Sequence, residues 1–193
     1  MPSTTDQNGN ITHHAISLEQ LSTLIAAELA ELSDSGVTAA RKAALQAIGK
    51  HVSTACLDDS FVAKHLRTRA SGENVREILY EDKELGFCIC GHVYADAAHG
   101  GAHDHGPSWA IYGQAEGETV MSDWHVEKIE NDSGTSVKLV KKASTYTLTR
   151  GDVHVYDIGD IHSPSRDLPV KLIRVEGENL DNVQRSKIEE LES

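Results

Sequence analysis

Apolar residues recur along this chain at two spacings, and the change from one to the other near Arg76 divides it. Leu18, Leu21, Leu24, Ile25, Leu29 and Leu32 fall at steps of three and four, the spacing that lines one face of an α-helix. Ser17-Leu18-Glu19-Gln20 has the form of a capping box, in which the serine hydroxyl and the glutamine side chain satisfy amides at the helix start. Asp34-Ser35-Gly36 predicts the stop. A second helix is expected from Val37 to about Lys50, with Ala40, Ala44, Leu45 and Ile48 as its buried stripe. Asp58-Asp59-Ser60 is placed to cap a short third helix through Leu66. The pattern predicts a helical layer packed against a sheet, preceded by a polar, disordered lead that includes His13-His14.

From Arg76 the period falls to two. Strands are expected at Ile78–Tyr80, Phe87–Tyr94, the stretch after Gly100-Gly101, Glu118–Glu127, Ser136–Ala143, Tyr146–Leu148, Val153–Tyr156 and Val170–Val175. Turns are expected at Glu81–Gly86, Asn131–Gly134, Arg150-Gly151-Asp152 and Asp157–Asp160. Short strands joined by glycine-rich turns, without βαβ alternation, predict an antiparallel sandwich or barrel. The charged tail after Glu176 is expected to fray or to form a short helix. The organisation predicted is a lead at 1–16, a helical layer at 17–70, a β-barrel at 71–180 and a charged tail at 181–193.

At 193 residues the chain suffices for one domain with a real core. Its formal net charge of −12, with no basic cluster, makes nucleic acid and anionic membranes poor partners. No apolar run approaches the roughly 18–20 residues of a membrane span, and the polar start lacks a secretory pattern, so a cytoplasmic location is expected. The odd cysteine count, Cys56, Cys88 and Cys90, argues against a disulfide framework. Cys88 and Cys90 share a strand face, which would suit a Cys-x-Cys metal site, but they are read as small buried hydrophobes.

Histidine spacing carries the chemistry. On an extended chain His103 and His105 point to the same side, with Asp104 opposite, so two imidazoles can converge on one ion. A third histidine, His162, ends the element Gly151-Asp152-Val153-His154-Val155-Tyr156-Asp157-Ile158-Gly159-Asp160-Ile161-His162.

These residues resemble the two motifs of the cupin family. The first runs from Gly100/Gly101 through His103, His105 and Ala110 to Gly117, and the second uses Gly151, Asp157, Gly159 and His162. The resemblance covers roughly residues 76–176 and implies a mainly β, double-stranded β-helix (jelly-roll) barrel. Most metal-binding cupins place a glutamate where Ala110 stands, so the implied ligand set is His103, His105 and His162 alone. That departure, the run His-Asp-His-Gly-Pro-Ser-Trp and the helical layer resemble the cysteine dioxygenase-like (thiol dioxygenase) branch. The resemblance implies an Fe(II) cofactor, with Zn, Ni, Cu or Mn as metals the purified protein could carry. It also implies O2 and a small molecule as partners, and admits a homodimer. Acidic residues near the histidines are expected to orient their N–H groups.

The chain also departs from that branch. Animal-type members carry a crosslinked cysteine at the special position, which Ala110 forbids. Arg174 and Glu176 stand where the branch has the histidine and tyrosine of a Ser-x-His-x-Tyr run. For a substrate carboxylate the candidates are Arg76, Arg69 and Arg174, since a guanidinium binds carboxylate through two bonds. Arg76, Arg174 and Tyr112 are assigned to catalysis, and Arg69, Trp109 and Gln114 to substrate binding. His154 and His99 are weaker candidates, while His92 and His125 are expected to be structural. The function implied first is oxidation of a small organic thiol to a sulfinate. Carbon–carbon cleavage of a hydroxy-ketone or phenolic compound is the alternative, and a non-catalytic metal-dependent binding module is the third reading.

Overall fold

Entry into the first helix is set by Ser17. Its hydroxyl accepts from the Gln20 amide at 3.1 Å, and the Gln20 side chain accepts from the Ser17 amide at 2.9 Å. The computed structural model describes residues 4–5, 11–12, 15–32, 38–69, 72–132 and 135–191. Two short strands, β1 (Thr4–Thr5) and β2 (Ile11–Thr12), pair antiparallel within the expected lead. His13-His14 and the expected stop at Asp34-Ser35-Gly36 lie outside the described residues. Helix α1 (Leu18–Ala30) follows the capping box and buries Leu21 and Ile25.

Helix α2 (Thr38–Leu57) continues seven residues beyond the expected end at Lys50, because its apolar stripe runs on from Leu45 and Ile48 through Val52, Ala55 and Cys56. The Asp58 carboxylate caps α3 (Asp59–His65) through the amides of Ser60 and Phe61 and also accepts the amide of buried Ile16, tying the chain before α1 to the third helix. No helix among the described residues is long and apolar enough to cross a membrane.

The strands follow as β3 (Val75–Glu81), β4 (Cys88–Tyr94), β5 (Ala98–His99), β6 (Ala110–Glu116), β7 (Thr119–Asp132), β8 (Thr135–Leu148), β9 (Val153–Tyr156), β10 (Ile161–Arg166), β11 (Val170–Glu176) and β12 (Lys187–Glu190). They make two five-stranded sheets, ordered β3-β4-β11-β6-β9 and β12-β8-β7-β10-β5. The first sheet has two apolar faces. Ile89, Ile111, Ile173 and Val175 pack on the helices, while Ala110, Tyr112, Tyr156, Val170 and Leu172 meet Met121 and Leu148 between the sheets. The expected mainly β barrel with its helical layer is therefore the architecture of the chain.

Three expectations are corrected. The strands foreseen at Ser136–Ala143 and Tyr146–Leu148 are one continuous β8, whose pairing with β7 absorbs register shifts at Asp123/Trp124 and Val126/Lys128. Asn131 and Asp132, expected in a turn, belong to β7; the rest of that turn lies outside the described residues. Among its described residues the charged tail contains no helix and does not fray throughout. Its Lys187–Glu190 segment adds parallel to β8 through main-chain bonds, which need no apolar alternation. Strand β10 was not foreseen, because Ser163, Pro164 and Ser165 hide its alternation. Pro164 has no amide to donate, but its carbonyl accepts from Gly100 at 2.8 Å.

Helix α2 touches β6 directly at Gly113. A Cβ there would lie 2.5 Å from Val52 Cγ1 and 2.8 Å from Cys56 Sγ. Gly113→Ala is expected to lower stability by about 1–3 kcal/mol by overpacking, read as a lower urea midpoint at unchanged slope.

Candidate metal centre

The two histidine motifs meet through the backbone. His103 N–H donates to the His162 carbonyl at 2.9 Å, and His162 N–H donates to the His103 carbonyl at 3.0 Å. This isolated antiparallel bridge sets the two side chains next to each other. His103 and His105 thus sit in an extended segment held by one bridge, rather than on a regular strand, and His162 is near the start of β10. Ring centroids are 4.5 Å apart for His103–His162, 4.7 Å for His105–His162 and 5.8 Å for His103–His105. One ring nitrogen from each of the three lies within 4.8 Å of those of the others.

Asp104 points away, as its place between the two predicts. Its carboxylate takes the Lys138 ammonium at 2.9 Å and the amides of Gly106 and Ser186 at 3.1 Å. Burial alone would raise its pKa, but the hydrogen bonds from Ser186, Lys138 and Gly106 hold it at about 2. The Ser186 amide thereby ties the segment leading into β12 to Asp104, and the Lys138 ion pair ties β8 to the same carboxylate.

Burial, followed by the positive field of Arg174, lowers the His105 pKa to about 3. Burial, followed by the neighbouring His103 and His105, drives His162 well below its ordinary value, and burial lowers His103 too. The site is therefore a cluster of neutral imidazoles. The Gly101 carbonyl takes His103 Nδ1–H at 3.0 Å, which leaves Nε2 with its lone pair. The Tyr112 hydroxyl lies 3.2 Å from His105 Nε2 and 3.4 Å from His162 Nε2, and also accepts from Arg174 at 3.2 Å. It has one proton for two nitrogens. His105 Nδ1 and His162 Nδ1 are buried without any partner. The cluster holds more lone pairs than the protein has donors, which fits a cation with a taste for imidazole.

Beside the histidines lies a cavity of about 180 Å³, lined by His103, Tyr112, Gln114 and Arg174 together with His92, Tyr94, Arg166 and an apolar wall of Met121, Leu148 and Leu172. Alternation along β11 turns Arg174 inward with Glu176, while Ile173 and Val175 face the helices. Arg174 Nε donates to the fully buried Glu176 carboxylate at 2.6 Å. Tyr156 stacks on His162 at 3.7 Å between centroids, and its hydroxyl meets that of Tyr146 at 2.6 Å. It stands opposite Ala110 in the β6–β9 pairing.

Most of the remaining sequence candidates lie outside the cavity lining. Arg76, assigned to catalysis, is outside the cavity lining; its guanidinium spans Glu176, Asn179 and Asp181 and so steadies Glu176 from behind. Arg69, assigned to substrate binding, is exposed in the turn after α3. Trp109 packs in the helix-facing core and against Gly177, where a Cβ would meet its Nε1 at 2.6 Å. Gln114 lines the cavity, but its amide is committed to Thr119 and Glu116. Among the described residues no carboxylate touches His103, His105 or His162, so the acidic orienting groups expected around them are replaced by Gly101 and Tyr112. His99 is exposed beside Ser165, His125 pairs with exposed Glu127, and His154 stacks on Tyr146. His92, expected to be structural, lines the cavity. Burial pushes the Cys88 and Cys90 thiols up to about 11 and 12, which keeps them protonated, and neither belongs to the group of three converging histidines. Sequence reasoning missed Tyr156, His92 and Arg166. The signal for Arg166 was the i, i+2, i+4 series His162, Pro164, Arg166.

No protein-family model matches the chain, and no curated protein matches it. Among solved structures it is similar to a cupin superfamily protein from Desulfitobacterium hafniense, at 13% identity over 55% of this chain and 79% of that one, with a TM-score of 0.39. A conserved protein with a double-stranded β-helix domain from Klebsiella pneumoniae matches at 16% identity over 65% and 91%, TM-score 0.40. KdgF from Halomonas sp. matches at 15% identity over 61% and 89%, TM-score 0.41. The first two neighbours bear cupin and double-stranded β-helix descriptions, and the architecture of this chain itself rests on its strand pairing.

Two outcomes follow from the neutral cluster. The folded His105 pKa of about 3 lies below the ordinary value near 6.5, so within that window only the unfolded chain holds the proton and stability rises with pH. Urea midpoints of the metal-free protein should fall from about pH 7 to about pH 5, with His105 contributing ~1 kcal/mol per pH unit, and His105→Asn should flatten that slope. Removing a ligand should also abolish stoichiometric uptake: elemental analysis after metal loading should find His162→Ala far below the wild-type metal content.

Proposed function

We propose that this chain is a mononuclear non-haem Fe(II)-dependent dioxygenase that oxidises a small organic thiol to a sulfinate. The observation that supports it most is the meeting of three neutral imidazoles, free of carboxylate contacts, with a small cavity that carries guanidinium groups. Fe(II) held by His103, His105 and His162 would supply open positions for an anionic sulfur donor and for dioxygen. The overall change is R–S⁻ + O2 → R–SO2⁻. Both oxygen atoms end on sulfur, and the four electrons that sulfur loses are those that O2 gains, so no external reductant enters.

The chain's own residues shape that step. Glu176 holds Arg174 inward, and Arg174 donates to the Tyr112 hydroxyl. With its oxygen so occupied, Tyr112 can turn its proton toward a developing negative charge beside the histidines. It brings from β6 a hydroxyl that the absent Ser-x-His-x-Tyr run does not supply. Met121, Leu148 and Leu172 limit water at the reacting end. The partners are O2 and a small molecule, in a reducing cytoplasm that suits three free buried thiols. The apolar wall favours, as second reading, carbon–carbon cleavage of a hydroxy-ketone or phenolic compound at the same centre.

Oxygen uptake by anaerobically Fe(II)-loaded protein tests the proposal, with cysteine, 3-mercaptopropionate, cysteamine, hydroxy-ketones and phenols as the panel. Uptake with a thiol, a sulfinate product and a loss of about 10²-fold in kcat for Arg174→Met are expected. Uptake with oxygen donors alone would move the protein to the second reading. Iron-bound protein that is silent with every compound would count for a binding module instead.

A further inference from the structure

A metal-ligating imidazole ordinarily donates its second nitrogen to a carbonyl or a carboxylate, and that bond fixes the orientation of the ring. His103 has such a tether in the Gly101 carbonyl, 3.0 Å from its Nδ1. His162 has none. Its Nδ1 is buried without a partner, and its Nε2 reaches the shared Tyr112 hydroxyl at 3.4 Å. What lies against His162 instead is a ring face. The Tyr156 ring is 3.7 Å away between centroids with the two planes 16° apart, the closest pair of rings among the described residues.

Tyr156 is itself held in place. Asp123 accepts the Tyr146 hydroxyl at 3.1 Å on one oxygen and the Ser144 hydroxyl at 2.9 Å on the other. Tyr146 spends its one proton there, so Tyr156 is the donor in the 2.6 Å contact between the two tyrosine hydroxyls. With its hydroxyl committed to Tyr146, Tyr156 offers His162 only the face of its ring. His154, two residues back on the same face of β9, packs against Tyr156 at 4.5 Å between centroids. The chain of bonds also closes on its starting point, because Asp123 on β7 is the register partner of His162 on β10. Ala110, directly across from Tyr156 and in the same packed cluster, presents only a methyl group, which leaves room for the phenol ring.

We propose that Tyr156 is the positioning residue for the ligand His162, and that it acts by stacking where a hydrogen-bonded carbonyl or carboxylate would otherwise act. The lone pair of an imidazole nitrogen lies in the plane of the ring. A stack that fixes the plane therefore aims the lone pair at the point where the three rings converge. Asp123 and Tyr146 serve the same end at one remove, by holding the phenol. The proposal rests on the metal-centred reading above and deepens it by naming what orients the third ligand.

Zn(II) is the probe, titrated against a chelating dye into wild type, Tyr156→Phe, which keeps the ring, and Tyr156→Met, which fills the space without one. Tyr156→Met should bind Zn about 10–100-fold more weakly than wild type, and Tyr156→Phe within about threefold of it. NMR of the metal-free proteins supplies a second readout. The ring current of the stacked neighbour should hold the His162 ring protons upfield in wild type and Tyr156→Phe, and Tyr156→Met should return them to ordinary positions. Equal Zn affinity in wild type and folded Tyr156→Met would overturn the proposal. Should Tyr156→Met not fold, the wild type decides alone, since unshifted His162 ring protons would overturn it too. Failure of the metal reading looks different: wild type and both variants would then all take up no Zn.

Discussion

Two main-chain hydrogen bonds between His103 and His162 hold the candidate centre together. Backbone positions vary less than side-chain rotamers, so a reciprocal bridge at the ligands themselves ties the ligand geometry to the barrel's closure. The same segment is pinned on either side, by Gly100 on the Pro164 carbonyl and by Asp104 on Lys138 and Ser186. Three imidazoles are thereby kept neutral and close, with His105 and His162 buried and His103 open to the cavity, and an ion of suitable chemistry relieves the arrangement.

Charge around the cavity is arranged in two tiers. Behind the wall, Glu176 is fully buried between Arg174 and Arg76 and also takes the Leu180 amide, so its desolvation is offset by three donors. That network aims Arg174 at Tyr112 rather than adding a free cation to the cavity. In the wall itself, Arg166 lies over the Tyr94 ring, and among the described residues no carboxylate pairs with it. The two arginines lie on different sheets, Arg174 on β11 and Arg166 on β10.

Local chemistry was legible where it is set by near neighbours. The capping box at Ser17, the Asp58 cap, the strand Val153–Tyr156 and the convergence of His103 and His105 all depend on residues a few positions apart. What failed to show were features made by distant partners. β12 is a strand because β8 offers it an edge, and its own charged residues carry no alternation. α2 outran its expected end because Val52 and Cys56 find Gly113, which only the packed sheet presents. Arg76 and Arg174 looked equivalent in the sequence, since nothing local says that one guanidinium stands behind Glu176 and the other before it.

By itself, the sequence determined the periodicities, the caps, the turns and the spacing of three histidines in two glycine-bounded motifs. These follow from backbone stereochemistry, which acts over a turn of helix or a pair of strand residues. Only the tertiary structure decided which arginine faces the cavity, which tyrosines wall it and which polar atoms are left unpaired. Burial and pairing are properties of the space between two sheets, and that space exists only once residues far apart in the chain have closed it.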